Sequence, residues 1–329
     1  MANIHQVAML AGVSVATVSR VLNQQETVTA KTRIKVEEAI KKLNYEPNLL
    51  GRNLRTSESR ILLILIPSIS NPFYTEIIKG IETTALSQHY NILLCETDSN
   101  PERENIYYDL VRKKMADGII SMDPAVNIET LIKLAQTHSI IQCSEYAEDS
   151  GIPYVTINNE EAAYRAVKHL VKLGHERIAI INSDEKFLYA RQRLAGYKRA
   201  LAEHGINPRD SYSLYTHQLG FDYGKQAMKK ILKLEEKPTA VFAVSDLLAI
   251  GALKEINQSG LNVPDDIAVV GFDNIDFSNM TNPTLTTISQ PMYKMGSIAA
   301  EMLIDKIKGK TVESITLDHE LITRESTSG

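Results

Sequence analysis

The chain has 329 residues, 43% of them hydrophobic, a formal net charge of −4 and two cysteines. That length exceeds what one core usually supports, so two or more domains are expected. No apolar run approaches membrane-spanning length and nothing at the start resembles a secretory signal, so the expected location is the cytoplasm. Cys95 and Cys143 sit in apolar segments without metal-ligand spacing, which predicts buried free thiols and no metal. The charge is unevenly spread. Residues 1–60 hold nine Lys/Arg against five Asp/Glu, and the remainder holds 27 against 35. A basic head on an acidic body suits a head that meets phosphate.

Asn3 can cap a first helix, with Gln6 as its reciprocal partner three residues on. Val7, Ala8 and Ala11 supply the buried stripe, and Gly12 is placed to leave the helix at positive φ. Ser14 caps a second helix whose Val18, Val21 and Leu22 face inward. A third helix starts near the cap Thr29, buries Ile34, Val36, Ile40 and Leu43, and stops before Pro47. The small residues Ala8, Ala11 and Gly12 let the first two helices cross closely. That leaves Val15, Ala16, Thr17, Ser19 and Arg20 for the outer side of the second helix, with Thr17 also able to pack. Val15 and Ala16 suit thymine methyls, Arg20 a guanine edge or a phosphate, and Ser19 a phosphate. The expectation is an all-α, helix-turn-helix DNA-binding head over residues 1–47.

Residues 48–60 are a joint too short to fold alone. Asn48 can cap a short helix over Leu49, Leu50 and Leu54, but nucleation makes such a helix marginal without a partner surface. Two copies in a dimer can pack across a DNA minor groove, with Leu54 as an apolar wedge and Arg52 and Arg55 near phosphate. A plain flexible linker is the alternative.

From Ile61 the pattern alternates. Apolar runs of strand length are Ile61–Ile66, Ile92–Cys95, Gly118–Met122, Ile140–Cys143, Val155–Ile157, Ile178–Ile181, Ala240–Val244 and Ile267–Phe272. Helical stretches lie between most of them: Phe73–Gln88, Arg103–Lys114, Glu160–Leu173, Ala190–His204, Phe221–Leu234 and Leu247–Ser259. Strands apolar throughout, with helices between, mean parallel sheets covered on both faces. The body is expected to be α/β, with two Rossmann-like lobes. Residues 61–157 plus a segment near 284–315 would form one lobe, and 158–283 plus the C-terminal segment the other.

In such sheets ligands sit beyond the carboxyl ends of the strands. The turns there carry Phe73 and Tyr74, Asp98, Arg191 and Arg193, Ser245 and Asp246, and Asp273. Rings, carboxylates and arginines around one cleft suit a small polar ligand with a flat or ring-shaped part. Ser245, Asp246 and Asp98 also have a duller use as helix caps. No glycine-rich dinucleotide or phosphate loop and no nucleophile elbow follows any strand, so catalysis has no candidate residues and no cofactor is expected.

Val13-Ser14-Val15-Ala16-Thr17-Val18-Ser19-Arg20-Val21-Leu22-Asn23, Leu43-Asn44-Tyr45-Glu46-Pro47-Asn48, Asn71-Pro72-Phe73-Tyr74, Gly174-His175-Glu176-Arg177-Ile178, Arg193-Leu194-Ala195-Gly196-Tyr197, Ser245-Asp246 and Val270-Gly271-Phe272-Asp273 resemble the lactose repressor and purine repressor family of bacterial transcription regulators. The likeness spans nearly the whole chain. Gly51-Arg52-Asn53-Leu54, Glu58-Ser59-Arg60 and Leu285-Thr286-Thr287-Ile288-Ser289-Gln290-Pro291 are most similar to its nucleoside-responsive members. The resemblance implies a periplasmic-binding-protein-like body and a homodimer that represses transcription from an operator of approximate two-fold symmetry, lying on the nucleoid when bound. It implies DNA contacts from Ser14, Val15, Ala16, Thr17, Ser19, Arg20, Asn23, Thr29, Asn48, Arg52, Leu54 and Arg55. It implies a small-molecule effector, nucleoside or related compound, held between the lobes by Phe73, Tyr74, Tyr189, Arg193, Asp246 and Asp273, which controls operator affinity allosterically. A sugar-responsive repressor of the same family is the alternative. A soluble solute-binding module and an enzyme on the same frame are disfavoured by the attached head and the missing catalytic motifs. No leucine-rich heptad tail follows Leu321-Ile322, which favours a dimer over a tetramer.

Replacing Leu54 by Ala is expected to lower operator affinity about tenfold or more. Unstacking a base step costs a few kcal/mol, which only a close-fitting wedge offsets. Gel-shift titration of the variant is the measurement, and unchanged affinity would remove the wedge.

Overall fold

A computed structural model describes residues 2–22, 27–45, 58–123 and 127–328. The chain divides into two units, residues 1–58 and 59–329.

The smaller unit contains α1 (Ile4–Ala11), α2 (Val15–Leu22) and α3 (Ala30–Leu43). The Asn3 carboxamide accepts from the Gln6 amide N–H while the Gln6 side chain accepts from Asn3 N–H, both at 3.0 Å. Gly12 closes α1 at φ +66°, a conformation that a Cβ disfavours, which turns the chain sharply into α2. Ser14 Oγ accepts from Thr17 N–H at 3.2 Å, and Thr29 Oγ1 from Thr32 N–H at 3.4 Å. The core is Val7, Ala8, Ala11, Val18, Val21, Val36 and Ala39. Ile34 was expected in it but is 55% exposed. The buried stripe of α3 runs through Val36, Ala39, Ile40 and Leu43, and Ile34 lies about 200° around the helix from Val36. The expected joint helix, with Asn48, Arg52, Leu54 and Arg55, lies outside the described residues, as does Asn23.

The larger unit contains β1 (Ile61–Ile66), α4 (Phe73–Ser87), β2 (Asn91–Glu96), α5 (Pro101–Arg112), β3 (Gly118–Ser121), α6 (Ile128–Ala135), β4 (Ser139–Cys143) and β5 (Tyr154–Ile157). It continues with α7 (Asn159–Lys172), β6 (Ile178–Ser183), α8 (Leu188–Glu203), β7 (Ser213–Thr216), α9 (Phe221–Ile231), β8 (Ala240–Ala243), α10 (Asp246–Gln258) and β9 (Ala268–Asp273). It ends with β10 (Thr286–Ser289), α11 (Met292–Ile307), β11 (Ile315–Leu317) and β12 (Glu320–Ile322). The strands form two sheets, in the orders β11-β5-β4-β3-β1-β2 and β12-β10-β9-β8-β6-β7. Pairing is parallel except where β12 runs antiparallel to β10.

The unbroken apolar run of β1 follows from burial on both faces. Leu62, Ile64 and Ile66 join the cluster that includes Ile77 and Ile81 of α4, while Leu63 and Leu65 join Tyr108, Val111 and Leu131 of α5 and α6. β10 pairs with β9, so the chain returns to the first lobe at Met292 and not near residue 284. Faint patterns hid this. β10 carries Thr286 and Thr287, both buried, so it does not read as an apolar run.

In two helix pairs a glycine on each partner sets backbone against backbone. A Cβ on Gly80 of α4 would stand 2.1 Å from Tyr293 O of α11, and one on Gly296 would stand 2.0 Å from Ile77 O. Gly224 of α9 and Gly251 of α10 meet the same way, each 2.1 Å from a facing carbonyl oxygen. Neither backbone can swing aside as a side chain would. Gly251→Ala is therefore expected to destabilise the chain by about 1–3 kcal/mol. Urea denaturation followed by circular dichroism measures it, and an unchanged midpoint would show that the helices part freely.

Candidate functional site

In the first sheet β1 lies between β2 and β3, and in the second β6 lies between β7 and β8. The winding reverses at both places, which opens a crevice at the strand carboxyl ends. A cavity of about 570 Å3 occupies this position between the lobes. Five of the six expected effector residues line it: Phe73, Tyr74, Tyr189, Arg193 and Asp273. The rings of Phe73 and Tyr74 meet edge-on with centroids 5.2 Å apart, and those of Phe187 and Tyr189 stack at 5.5 Å.

Arg193 is buried, and its guanidinium is held by the second lobe through Nε and Nη1. Nε donates to Asn159 Oδ1 at 2.9 Å and Nη1 to Val244 O at 2.5 Å. The guanidinium lies 3.6 Å from the Phe272 ring centroid and 5.0 Å from that of Tyr189. Asp273 Oδ1 stands 3.8 Å from Nη1 and accepts from Gln290 Nε2 at 2.8 Å. Burial pulls the Arg193 value down and pushes that of Asp273 up, while each partner opposes the shift of the other.

Asp246 does not reach the cavity. It is the first residue of α10, and its carboxylate turns back behind the cleft wall. It accepts from Thr287 Oγ1 at 2.6 Å and from Ile275 N–H at 2.9 Å. Its role there is to hold the loop that presents Asp273, a loop bent enough that Asp273 and Asn274 both take positive φ. Ser245 caps α10, accepting from Leu248 N–H at 3.4 Å.

Two carboxylates on the cavity were not singled out in the sequence. Asp123 follows β3, and its Oδ2 accepts from Ser99 Oγ at 2.6 Å and Thr97 Oγ1 at 3.1 Å. Burial raises its value, which these two hydroxyls and Lys186 oppose. Glu145 follows β4 and crosses to the other lobe, where its two oxygens accept from Leu188 N–H at 2.6 Å and Tyr189 N–H at 3.1 Å. It thus caps α8, which has no side-chain cap of its own. The signal for both was present: they follow apolar strands, as Asp98 and Asp273 do.

In the smaller unit, Ala16 and Arg20 are exposed one helical turn apart on α2, Val15 packs partly against the core, and Ser19 is half-buried. Ser14 and Thr17 share a hydroxyl contact of 2.9 Å, and Thr29 Oγ1 contacts Thr32 Oγ1 at 3.0 Å. Among the described residues no group of three or more His, Cys, Asp or Glu side chains is placed to hold a metal ion, and no single helix is long and apolar enough to cross a membrane.

Residues 3–48 match the family model for bacterial regulatory proteins of the lacI family, and residues 59–325 match that for periplasmic binding proteins and the sugar binding domain of the LacI family. The chain belongs to the LacI family. It is a DNA-binding transcriptional repressor whose operator affinity is under effector control. It is 38% identical over 329 residues to the HTH-type transcriptional repressor CytR of Escherichia coli (strain K12), covering 99% of this chain and 96% of that one. It superposes on the lac repressor dimer bound to operator and the anti-inducer ONPF with a TM-score of 0.90, at 28% identity over 99% of both chains. With the complex of the transcriptional regulator CelR and cellobiose the TM-score is 0.73, at 28% identity over 99% of this chain and all of that one. The LacI-family frame thus carries both the helix-turn-helix unit and the two-lobed body.

Burial pushes the Glu145 carboxyl from 4.5 to about 7, although the α8 amides favour its charged form. Between those values the folded chain keeps a proton that the unfolded chain has released. The stability tied to this group is therefore full below about pH 4.5 and is lost as pH rises through 7. Glu145→Gln removes the titration, so its melting midpoint is expected to fall less than wild type between pH 5 and 7.5. Calorimetry at matched pH values gives the difference, and parallel profiles would mean that Glu145 ionises normally.

Proposed function

We propose that this LacI-family protein is a cytoplasmic homodimer that represses transcription from a two-fold operator and releases or grips it according to a nucleoside or related compound in the cleft. The observation that carries the reading is the pairing of ring-lined walls with a fixed guanidinium and carboxylate in one inter-lobe cavity. A flat base or sugar face stacks on Phe73, Tyr74 or Tyr189, and polar edges exchange water for Arg193 and Asp273. The DNA-reading set is Ser14, Val15, Ala16, Thr17, Ser19, Arg20, Asn23 and Thr29 on the head, with Asn48, Arg52, Leu54 and Arg55 in the joint. The polar face of α2 enters the major groove, and lysines and arginines displace counterions at phosphates.

The effector acts through a two-state element. Its binding changes the angle between the lobes, and residues 48–60 then form or lose the helix that reads the minor groove. A sugar effector is the second reading, favoured by the cellobiose held by CelR on the same frame.

A thermal-shift screen of the purified chain against nucleosides, purine bases and sugars separates the two, because a ligand that binds only the folded state raises the midpoint. Gel shifts with and without the best ligand give the sign of regulation. Arg193→Ala is expected to weaken binding of that ligand about ten- to a hundredfold, because a buried ligand group without its partner costs roughly 1–3 kcal/mol. Phe73→Leu is expected to cost less. Calorimetry measures both, and an Arg193→Ala affinity equal to wild type would take Arg193 out of the site.

A further inference from the structure

The cleft contains a buried acceptor with nothing to accept. Asp123 is 1% exposed, and its Oδ1 has no hydrogen-bond partner although its Oδ2 has two. It lines the cavity from the first lobe. On the second lobe, Ser183 Oγ is equally buried, lines the same cavity and makes no hydrogen bond. Its neighbour is the Tyr189 phenol, whose charged form the Ser183 hydroxyl favours. Orphaned polar groups of this kind are costly in a dry interior, and a ligand that supplies the missing partner removes the cost.

The charge around these groups narrows the ligand. Asp98, Asp123, Glu145 and Asp273 line the cavity against Lys186, Arg193 and His217. Arg193 is held by Asn159, Val244 and Asp273, and Lys186 stands 4.0 Å from Asp184. A helix N-terminus would ordinarily welcome an anion. Here the first amides of α8, at Leu188 and Tyr189, are already taken by Glu145. A phosphate entering this cleft would meet acidic side chains from both lobes and no free amide cradle at α8.

We propose that the cleft selects an uncharged ring ligand rich in hydroxyl donors and rejects its phosphate esters, with Asp123 as the acceptor that reads those donors. The inference rests on the effector reading above and narrows it. Hydroxyl donors come equally from the ribose of a nucleoside or from a free sugar, and Asp123 serves either. Ser183 on the facing lobe offers a second bond, so one ligand can join the two lobes.

The test uses the full chain and matched probes: cytidine with cytidine 5′-monophosphate, adenosine with adenosine 5′-monophosphate, ribose with ribose 5-phosphate, and glucose with glucose 6-phosphate. Calorimetry is expected to give a neutral member that binds at least about thirtyfold tighter than its phosphate ester. The pair that responds tells nucleoside from sugar. For that neutral probe, Asp123→Asn is expected to weaken binding about ten- to a hundredfold. The unliganded midpoint of the variant should not fall, since an amide is cheaper to bury than an unpaired carboxylate, and this shows that the variant is folded. Ser183→Ala is expected to weaken binding by a smaller factor. A phosphate ester that binds as well as its parent, or a folded Asp123→Asn chain with wild-type affinity, overturns the inference while leaving the effector reading standing. If no member of any pair binds, both fall together.

Discussion

A buried guanidinium left without partners destabilises the fold, and the second lobe's wall of the cleft is arranged around that of Arg193. Asn159 opens α7, Val244 ends β8, and Phe272 and Asp273 end β9. One side chain therefore fixes where a helix start and two strand ends stand relative to each other. Asp273 in turn needs Gln290, which lies in the segment that carries the chain from the second lobe back to the first. The strained loop at Asp273 and Asn274 is held from behind by Asp246 and Thr287. Backbone strain of this kind persists only when its surroundings over-determine it.

The two lobes are joined by chemistry as well as by chain crossings. Glu145 leaves the first sheet and caps a helix of the second lobe, so the approach of the lobes satisfies amides that would otherwise want water. The contact lies beside the cavity, which Glu145 and Tyr189 both line. Within each lobe the helices cannot adjust much, because Gly80 with Gly296 and Gly224 with Gly251 set backbone against backbone. Rigid lobes with a polar seam between them suit a binding event that must be felt elsewhere in a LacI-family chain.

Much of this was legible in the residue order. The capping box at Asn3 and Gln6, the turn at Gly12 and the unbroken apolar strands are local or periodic features, and local sterics and burial on both sheet faces leave little choice about them. The carboxyl-end rule found Phe73, Tyr74, Arg193 and Asp273, because strand ends in a parallel sheet gather on one edge whatever the details. The same rule applied after Met122 and Cys143 reaches Asp123 and Glu145.

What the order alone determined, then, was the kind of elements, their parallel winding and the edge where polar side chains collect. Tertiary structure decided what each of those side chains faces. Asp246 and Asp273 stand at equivalent strand ends, yet one turns behind the wall and the other into the cavity. Ile34 looks like core by composition, but the helix's angular phase puts it outside. Residues 286–289 join the second sheet because their threonines are satisfied by Asp246, Ser326 and Arg324, groups up to forty-one positions away. Direction, phase and long-range partners are set by the packed whole, since a side chain's orientation depends on neighbours that the residue order does not place beside it.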